Sequence, residues 1–541
     1  MLGLFIATII LYLVHIYIIS TRSLHMLQQN RYNRGFRYIK WIIRNSKELF
    51  LNINLLFLVF IICMFSSSTT EYTPYLFVII YTFITSVFVI DRKSENIKLP
   101  LKYTARIKRL MVTEGIIYLI PILIMLITFD EDKLSVYYLI LGLMSFINHF
   151  IVLFTNFANR PVEKMVSNHF ENMAKEKLKS MNNMEVIGIT GSYGKTSTKN
   201  IVNDILGVKY NVYKTPSNFN TPYGLMITIN EHLDKYNDFF IAEMGACKKG
   251  DIKELCDLVH PKYGILTRIG LAHLETFGSE KNIEDTKFEL IESLPSDGLG
   301  ILNGDDEKQL NHVIKNDCKI KWIGIDNTNV DCYAKDLKLS PKGTTFKVVF
   351  TGDKEEHEFT TKLLGRNNIY NILGGIVLGR ELGITIPELQ KSVKMVEPVE
   401  HRLSMKKYYD INLIDDAYNS NPMGSKMALE VLKMMPGKHI IVTPGMIEVG
   451  AKEDEVNKEF GRQIAESVDE AILIGEEKTK PIYEGLIEKG FDKKHIHVLN
   501  DVLDAFPLMM KLKDKETYAL LENDLPDSFS EKIRSDKKWL K

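Results

Sequence analysis

The residue types best suited to chemistry stand in one short segment, in the order Gly191, Ser192, Tyr193, Gly194, Lys195, Thr196 and Ser197. An apolar run at 186–189 precedes it, and a helix-compatible stretch at 197–206 follows. Glycines let backbone N–H groups approach a phosphate, a lysine adds positive charge and a threonine hydroxyl can bind Mg²⁺. The usual Walker pattern has a glycine five residues before Gly194, where this chain has Ile189. The segment therefore predicts a nucleotide-binding loop of a shortened type.

More polar residues follow predicted strands or lie on a predicted helix after this loop. Glu243 ends one apolar strand, His273 follows another, and Lys287 lies on the next helix. If these three side chains converge on the loop, they can hold two Mg²⁺ ions beside a nucleotide phosphate. A fourth polar segment, 415–422, follows a strand nearer the end of the chain.

Alternating strands and helices must position these residues. Strands are predicted at 238–243 and 263–268, and helices at 251–258 and 283–293. This alternation indicates a parallel sheet that binds a nucleotide at the carboxyl ends of its strands. Short strands then predict an antiparallel insertion, at 321–325, 336–339, 344–350 and 357–363.

A second alternating series begins near Met395 and predicts a further, smaller α/β domain. Its strands are expected at 411–415, 439–443, 470–474, 495–499 and 517–521, with helices that begin at Ser425 and Glu455. Pro398 interrupts any helix in the linker between the two series, which we place at 396–401.

The first 160 residues are more apolar than the rest of the chain. Runs with almost no charge occupy residues 3–19, 49–65, 75–90, 115–129 and 134–154. Each run is near the lower limit for crossing a bilayer, so five transmembrane helices are predicted. Basic residues crowd the loops 22–47 and 92–109, which places both loops, and everything after the fifth run, in the cytoplasm. The same loops could instead hold anionic lipid head groups or an anionic lipid-linked substrate.

The overall composition adds two limits. The chain has 541 residues and a formal net charge of zero, and its length is too great for one hydrophobic core. Its five cysteines form no C-x-x-C pair, so neither a zinc ribbon nor a disulfide framework is indicated.

Taken together and in this order, the loop and the polar segments resemble the Mur ligase family. The resemblance covers roughly residues 186–476 and includes Ser217, Asn218, Asn220 and Thr221 in the segment 217–222, and also Gly278-Ser279. Within the family, the likeness is greatest to the ligases that add D-alanyl-D-alanine to a UDP-N-acetylmuramoyl tripeptide. The segment 217–222 is then expected to contact substrate.

The resemblance implies a role for each matching residue. Lys195 and Thr196 would hold the β- and γ-phosphates of ATP and one Mg²⁺, while Glu243 and His273 would be metal ligands. Lys287 matches a lysine that the family carries as a carbamate, which would support a second Mg²⁺. Two further pairs complete the implied set: Asn368 and Asn371 at the adenine base, and Arg402 and Asp416 closing over ATP from the last domain.

The chain departs from the family pattern in three places. Residues 1–160 are used for the membrane block, so the family's first domain, which binds the UDP-sugar, has no counterpart. Asn367 stands where the family usually has histidine, and the acidic segment 520–527 replaces a basic stretch that faces the substrate. These departures leave the acceptor and the incoming amine open.

The predicted fold class is therefore an α-helical membrane block followed by α/β domains. The membrane block spans 1–160 and a connecting helix 161–183. A central ATP-binding domain at 184–396 combines a parallel sheet with a small antiparallel sheet, and a Rossmann-like domain occupies 397–541. The resemblance implies a multi-pass membrane protein with cytoplasmic ligase domains.

The expected activity is an ATP-dependent, ADP-forming amide ligase of peptidoglycan or envelope-polymer synthesis. Its acceptor would be a carboxylate, on a UDP-linked or lipid-linked muropeptide, and its second substrate the amine of an amino acid or dipeptide. A lipid bilayer is an expected partner and nucleic acid is not. Two rival hypotheses are a polyglutamate or capsule-type amide ligase and a P-loop ATPase coupled to membrane transport.

Overall fold

The computed structural model describes residues 1–51, 55, 73–94, 100–181, 183–270, 274–417, 422–446 and 452–523. The chain forms two compact units, Met1–His169 and Phe170–Lys541. The boundary between them falls within one helix, Arg160–Ser180, in which most of the predicted connecting segment lies.

Among the described residues of the first unit, the regular secondary structure is all helical. Its α-helices are α1 Leu2–Gln29, α2 Arg37–Arg44, α3 Ser46–Phe50, α4 Thr73–Ser94, α5 Ala105–Ile127, α6 Leu134–Phe146 and α7 Asn148–Ala158, and 3₁₀ turns occupy Arg31–Phe36 and Glu131–Lys133. Helix α5 continues through Pro121. Long apolar segments favour helices because a helix satisfies the backbone hydrogen bonds within the segment itself.

Two helices of this unit are long and apolar enough to cross a membrane, α1 and α5. They contain or nearly contain the predicted runs 3–19 and 115–129. The run 75–90 lies within α4, whose described apolar part is the shorter Val78–Ile90. The run 49–65 lies almost wholly outside the described residues.

The predicted fifth span, 134–154, is not one continuous helix. Residues 131–146 and 148–158 form two helices that meet at an angle of 71°, so the described residues contain at most three spans. Asn148 at this break is buried, and its side chain donates to Ser23 Oγ (2.7 Å) and accepts from Tyr118 OH (2.7 Å). The apolar pattern misses the break because apolar residues continue on both sides of it.

Helix α8, Arg160–Ser180, contains the boundary, and the second unit that follows it has two sheets. Strands of the first are β1 Glu185–Thr190, β2 Val212–Lys214, β3 Phe239–Glu243, β4 Tyr263–Leu266, β5 Leu299–Asn303, β6 Lys319–Gly324, β7 Cys332–Ser340, β8 Gly343–Phe350 and β9 Glu356–Thr361. Their order in the sheet is β2-β3-β1-β4-β5-β6-β7-β8-β9.

The parallel sheet and the antiparallel strands were predicted, and both are confirmed. They form one continuous sheet, since β6 pairs in parallel with both β5 and β7, and only β7, β8 and β9 pair antiparallel. The strand predicted at 321–325 therefore belongs to the parallel part. Short local strand patterns do not reveal which neighbour a strand will choose.

Helices cover both faces of this sheet. They are α9 Lys195–Leu206, α10 Pro222–Ile227, α11 Asp251–Val259, α12 Leu274–Phe277, α13 Glu280–Glu292, α14 Glu307–Leu310, α15 Arg366–Glu381 and α16 Ile386–Met395, with a π-helical turn at Thr228–His232. One apolar core lies between the sheet and α9, α15 and α16, and a second lies between the sheet and α11 and α13. Because both faces are covered, strands such as β3 are buried along their whole length.

The second sheet contains β10 Ser404–Tyr408, β11 Ile411–Asp416, β12 Lys438–Thr443, β13 Glu470–Ile474, β14 Ile496–Leu499 and β15 Thr517–Glu522. Their order is β10-β11-β15-β12-β13-β14, parallel except for β10 with β11. Helices α17 Pro422–Lys433, α18 Glu453–Ala465, α19 Glu476–Glu488 and α20 Ala505–Leu512 and 3₁₀ turns Lys493–His495 and Val502–Asp504 complete it. The five predicted strands are confirmed within two residues, and the edge strand β10 was not predicted.

Candidate nucleotide and acceptor site

The predicted phosphate loop joins the end of β1 to the start of α9. The helix begins at Lys195, two residues earlier than expected. Gly194 has φ +85° and Gly191 has φ +149°, which favour glycine. A Cβ on Gly191 would lie 1.9 Å from Thr267 Oγ1, so no larger residue fits there. The Lys195 ammonium folds back onto the loop and donates to the carbonyls of Gly191 (2.8 Å) and Ser192 (3.2 Å).

The loop is held by the segment that follows β4. Ser192 N donates to Arg268 O (2.9 Å), and Ser192 Oγ donates to Gly270 O (3.0 Å). Thr267 Oγ1 donates to Tyr193 O (2.6 Å). The sequence did not indicate these anchoring contacts, which set the shape of the loop through the neighbouring strand.

Glu243 lies beside the loop because β3 pairs with β1, with Glu243 opposite Ile189. Thr196 Oγ1 (3.3 Å) and Asn220 Nδ2 (3.1 Å) both donate to Glu243 Oε1. The other carboxylate oxygen forms an ion pair of 3.0 Å with Lys199 Nζ, and both side chains are 2% exposed. The structure thus brings together three of the predicted residues and adds Lys199, one helical turn after Lys195.

The buried Lys199–Glu243 pair leads to a stability prediction. We expect Glu243→Gln to lower the free energy of unfolding by about 3–5 kcal/mol, because it leaves the Lys199 ammonium buried without its counter-charge. Equilibrium chemical unfolding of the detergent-solubilised protein measures this change. Glu185→Gln, which weakens the half-exposed pair with Lys262, should change the same quantity by less than about 1 kcal/mol.

The double variant Lys199→Met/Glu243→Gln tests the cause. Since it removes both charges, it should recover most of the lost stability. A double variant as unstable as the single one would contradict the ion-pair explanation.

Lys287 lies on α13, and its side chain is buried. Burial, followed by the nearby positive charge of Lys195, lowers the pKa of its ammonium to about 7. Among the described residues it has neither a hydrogen bond nor an ion pair, and its nitrogen lies 5.9 Å from the centre of the Phe277 ring. A large fraction of the amine is therefore uncharged and nucleophilic at neutral pH.

His273 and the segment 418–421 lie outside the described residues. Thr221 has a local role, since its hydroxyl accepts from Gly224 N (3.3 Å) and caps the helix Pro222–Ile227. Only Glu522 and Asn523 of the acidic segment from Glu522 onwards are described. Glu522 is buried and accepts from Ser425 Oγ (2.6 Å), which fixes it within the C-terminal domain.

A cavity of about 120 Å³ lies on one side of the phosphate loop. Asn367, Asn368 and Asn371 from the start of α15 line it together with Gly194, and Asn371 lies closest to the loop. Asn368 Nδ2 donates to Leu364 O (2.8 Å). The three asparagines thus surround a space beside the loop, where the resemblance places an adenine base.

Arg402 and Asp416 line the same cavity from the C-terminal domain. Asp416 ends β11, and its Oδ1 accepts from Leu403 N (3.1 Å). Burial raises the pKa of the Asp416 carboxyl to about 6, although Arg402 lowers it. Residues of both α/β domains therefore line this cavity beside the phosphate loop.

A larger cavity of about 640 Å³ lies on the other side of the loop. Its lining residues are Thr196, Lys199, Asn200, Asn203, Val212, Tyr213, Lys214, Thr215, Pro216, Ser217, Asn218, Val399, Glu400 and Arg402. Ser217 has φ +42°, an uncommon conformation for a residue other than glycine, and its carbonyl accepts from Lys199 Nζ. Arg402 lines both cavities, and Thr196 connects the larger one to the loop.

Comparisons with known proteins agree on one family of ligases. Residues 189–379 match the Mur ligase middle domain, and residues 401–521 match the Mur ligase, glutamate ligase domain. The UDP-N-acetylmuramoyl-tripeptide--D-alanyl-D-alanine ligase of Bacillus subtilis is 32% identical over 294 residues, which are 54% of this chain and 62% of that protein. The Escherichia coli ligase of the same name is 29% identical over 54% of this chain and 65% of its own length. The chain thus spans less than two thirds of these relatives.

A solved structure shares the fold. MurF ligase from Thermotoga maritima in complex with ADP superposes with a TM-score of 0.59 and 25% identity, over 66% of this chain and 80% of that chain. The predicted fold class is confirmed, with an N-terminal helical region that contains two long apolar helices.

Proposed function

The chain belongs to the Mur ligase family through residues 189–379 and 401–521, and we propose that it is an ATP-dependent, ADP-forming amide ligase of peptidoglycan or envelope-polymer synthesis. The observation that carries this proposal is the pair of cavities on opposite sides of the phosphate loop, with Arg402 lining both. The smaller cavity would take the adenosine of ATP and the larger one the acceptor. The acceptor and the γ-phosphate of ATP would then meet beside Thr196.

The proposed reaction has two steps. A carboxylate oxygen of the acceptor attacks the γ-phosphorus of ATP, the bond to the bridging oxygen breaks, and ADP leaves. The nitrogen of the amine then attacks the carbonyl carbon of the acyl phosphate, inorganic phosphate leaves with the electron pair, and a proton passes to solvent. Carboxylate and phosphate repel each other, so positive charge from Lys195 and Arg402 is needed at their approach.

Mg²⁺ would complete this charge balance. The Thr196 hydroxyl and the Glu243 carboxylate already lie within hydrogen-bond distance (3.3 Å), and oxygen atoms of these kinds are the ligands that Mg²⁺ prefers. When bound, the ion would neutralise phosphate charge. His273 and a carbamate on Lys287 are the further proposed ligands.

The proposal of a carbamate rests on the protonation state of the Lys287 amine. Carbamates form when a neutral amine attacks carbon dioxide, and the lowered pKa of about 7 supplies that neutral amine. The product is an anion with two oxygen atoms, so it would change a buried cation into a metal-binding group. Asp416, Arg402, Asn368 and Asn371 are proposed to hold the nucleotide.

For the substrates, we propose the chemistry that the names of the relatives state. The acceptor would be a UDP-linked muropeptide and the amine D-alanyl-D-alanine. A lipid-linked muropeptide is a second proposed acceptor, which these names do not mention and which the two long apolar helices favour. Mass spectrometry of products formed by the detergent-solubilised protein, ATP and each acceptor tests this, with glutamate as a competing amine. An amide product supports the ligase, and ATP hydrolysis that needs neither acceptor nor amine would favour the transport hypothesis.

We also propose that the helical region anchors the protein in the cell membrane as a multi-pass domain. Helices α1 and α5 are long enough to cross a bilayer, and one such helix would already suffice as an anchor. A larger block suggests contact with a lipid-linked substrate or a membrane partner. The ligase domains would then lie in the cytoplasm, where ATP is available.

A truncated protein of residues 162–541 tests the role of the helical region. We expect it to bind ADP normally and to lose most ligase activity on the true acceptor, because that acceptor would be presented at the membrane. Binding calorimetry and product formation are measured in parallel with the intact protein. Equal turnover of a soluble UDP-linked muropeptide by both proteins would mean that the region is only an anchor.

A further inference from the structure

The larger cavity is lined by more basic than acidic side chains. Lys199, Lys214 and Arg402 all line it, and Glu400 is the one acidic residue among its lining residues. Lys199 is paired with Glu243, and Glu400 accepts from Lys406 Nζ (3.2 Å). Within the part of the chain that the structure describes, the Lys214 side chain has neither a hydrogen bond nor an ion pair.

The position of Lys214 explains why its ammonium has no such partner. It is the last residue of β2, which is the edge strand of the nine-stranded sheet, and its side chain is half-buried on the cavity wall beside α9. Burial lowers the pKa of its ammonium, Asp204 opposes this effect and Lys199 adds to it. A partly desolvated ammonium without a hydrogen bond or ion pair among the described residues is unfavourable, and a bound anion on the cavity side would relieve it.

The remaining walls suit a polar ligand without adding charge. Asn200 and Asn203 project from α9 at a spacing of three residues, which places them on one helix face. Asn200 Nδ2 donates to Thr196 O (2.8 Å), so this face is continuous with the phosphate loop. A ligand in the cavity can therefore contact Thr196 at one end and Lys214 at the other.

We propose that Lys214 binds a second anionic group of the acceptor, distinct from the carboxylate that reacts. The group is a phosphate or a carboxylate, which a lysine ammonium recognises as a point charge. This inference rests on the proposed function, because it takes the reacting carboxylate to lie at Thr196. It makes Lys214 a residue that determines which acceptors bind.

Binding of three probes to the full-length, ADP-loaded protein tests the inference by calorimetry. The probes are UDP-N-acetylmuramoyl tripeptide, the same muramoyl tripeptide on a polyprenyl diphosphate, and the muramoyl tripeptide without any phosphate. We expect Lys214→Gln to weaken binding of at least one probe about tenfold or more, because a charged contact is lost. Lys214→Arg keeps the charge and should bind within about threefold of the natural protein.

The three probes identify the anion. A loss confined to one diphosphate probe assigns the group to a nucleotide or a lipid diphosphate, and an equal loss for all three assigns it to a peptide carboxylate. The control is Lys338→Gln, an exposed lysine on β7 that lines neither cavity. The affinity for ADP and the thermal unfolding of both variants should match the natural protein, which separates the effect from misfolding.

Two results would overturn the inference: unchanged affinity of Lys214→Gln for every probe, or a natural protein that binds none of them. Amide formation is measured separately, so the two ideas fail independently. If the natural protein forms amide and Lys214→Gln has the same KM for the acceptor, the ligase remains and the role of Lys214 is wrong. If Lys214→Gln loses binding but no amide ever forms, the anion site remains and the ligase is wrong.

Discussion

Lys195→Ala should lower acceptor-dependent ADP formation by about a thousandfold or more, because it removes the cation nearest to the transferred phosphoryl group. In the described structure the ammonium is held on the carbonyls of Gly191 and Ser192, within the loop itself. It is therefore placed before ATP arrives and needs only to exchange these carbonyls for phosphate oxygens. Steady-state ADP release by the detergent-solubilised protein measures the loss.

The control for this prediction is Lys235→Ala, which removes an exposed lysine of the same unit. It should retain full turnover, and both variants should insert into membranes equally well. Normal ADP release by Lys195→Ala would contradict the proposal that this loop binds the phosphates of ATP.

Lys287→Ala should be nearly inactive, with turnover reduced about a thousandfold, and formate or acetate should restore part of the activity. The reason is that a small carboxylate can occupy the space that the proposed carbamate would fill. Lys287→Arg should not be rescued, since its guanidinium fills that space and stays charged. The measurement is turnover as a function of added carboxylate.

Lys281→Ala is the matched control on the same helix. Lys281 has an exposed side chain that pairs with Glu284 and Asp285, and its loss should leave turnover unchanged with or without formate. Full activity of Lys287→Ala without any additive would show that the lysine has no part in catalysis.

The same residue predicts a dependence on pH and carbon dioxide. Because the pKa of Lys287 is lowered to about 7, the amine is neutral above that pH and charged below it. Activity of the natural protein should therefore rise between about pH 6 and 8 and fall when carbon dioxide is removed from the buffer. The formate-rescued Lys287→Ala variant should lose the dependence on carbon dioxide, which separates this effect from other titrating groups.

The sequence alone determined the features that depend on neighbours along the chain. The phosphate loop is one of them, because Gly191, Gly194, Lys195 and Thr196 are close in sequence and their backbone preferences act locally. The strands of both α/β domains are others, since runs of apolar residues between turn residues specify them. The resemblance to the Mur ligases also follows from such local segments, whose order along the chain can be read directly.

The tertiary structure decided what depends on residues far apart. Glu243 meets Lys199 only because β3 pairs with β1, and a strand pattern does not state its partner. Asn148 at the break is hydrogen-bonded to Ser23 and Tyr118, which lie 125 and 30 residues away in the chain. Among the described residues the Lys214 side chain has no ion-pair partner for the same reason, since the fold places it on an edge strand at the wall of a cavity that Lys199 also lines. Charge balance is a property of three-dimensional neighbours, so no local pattern reveals where it fails.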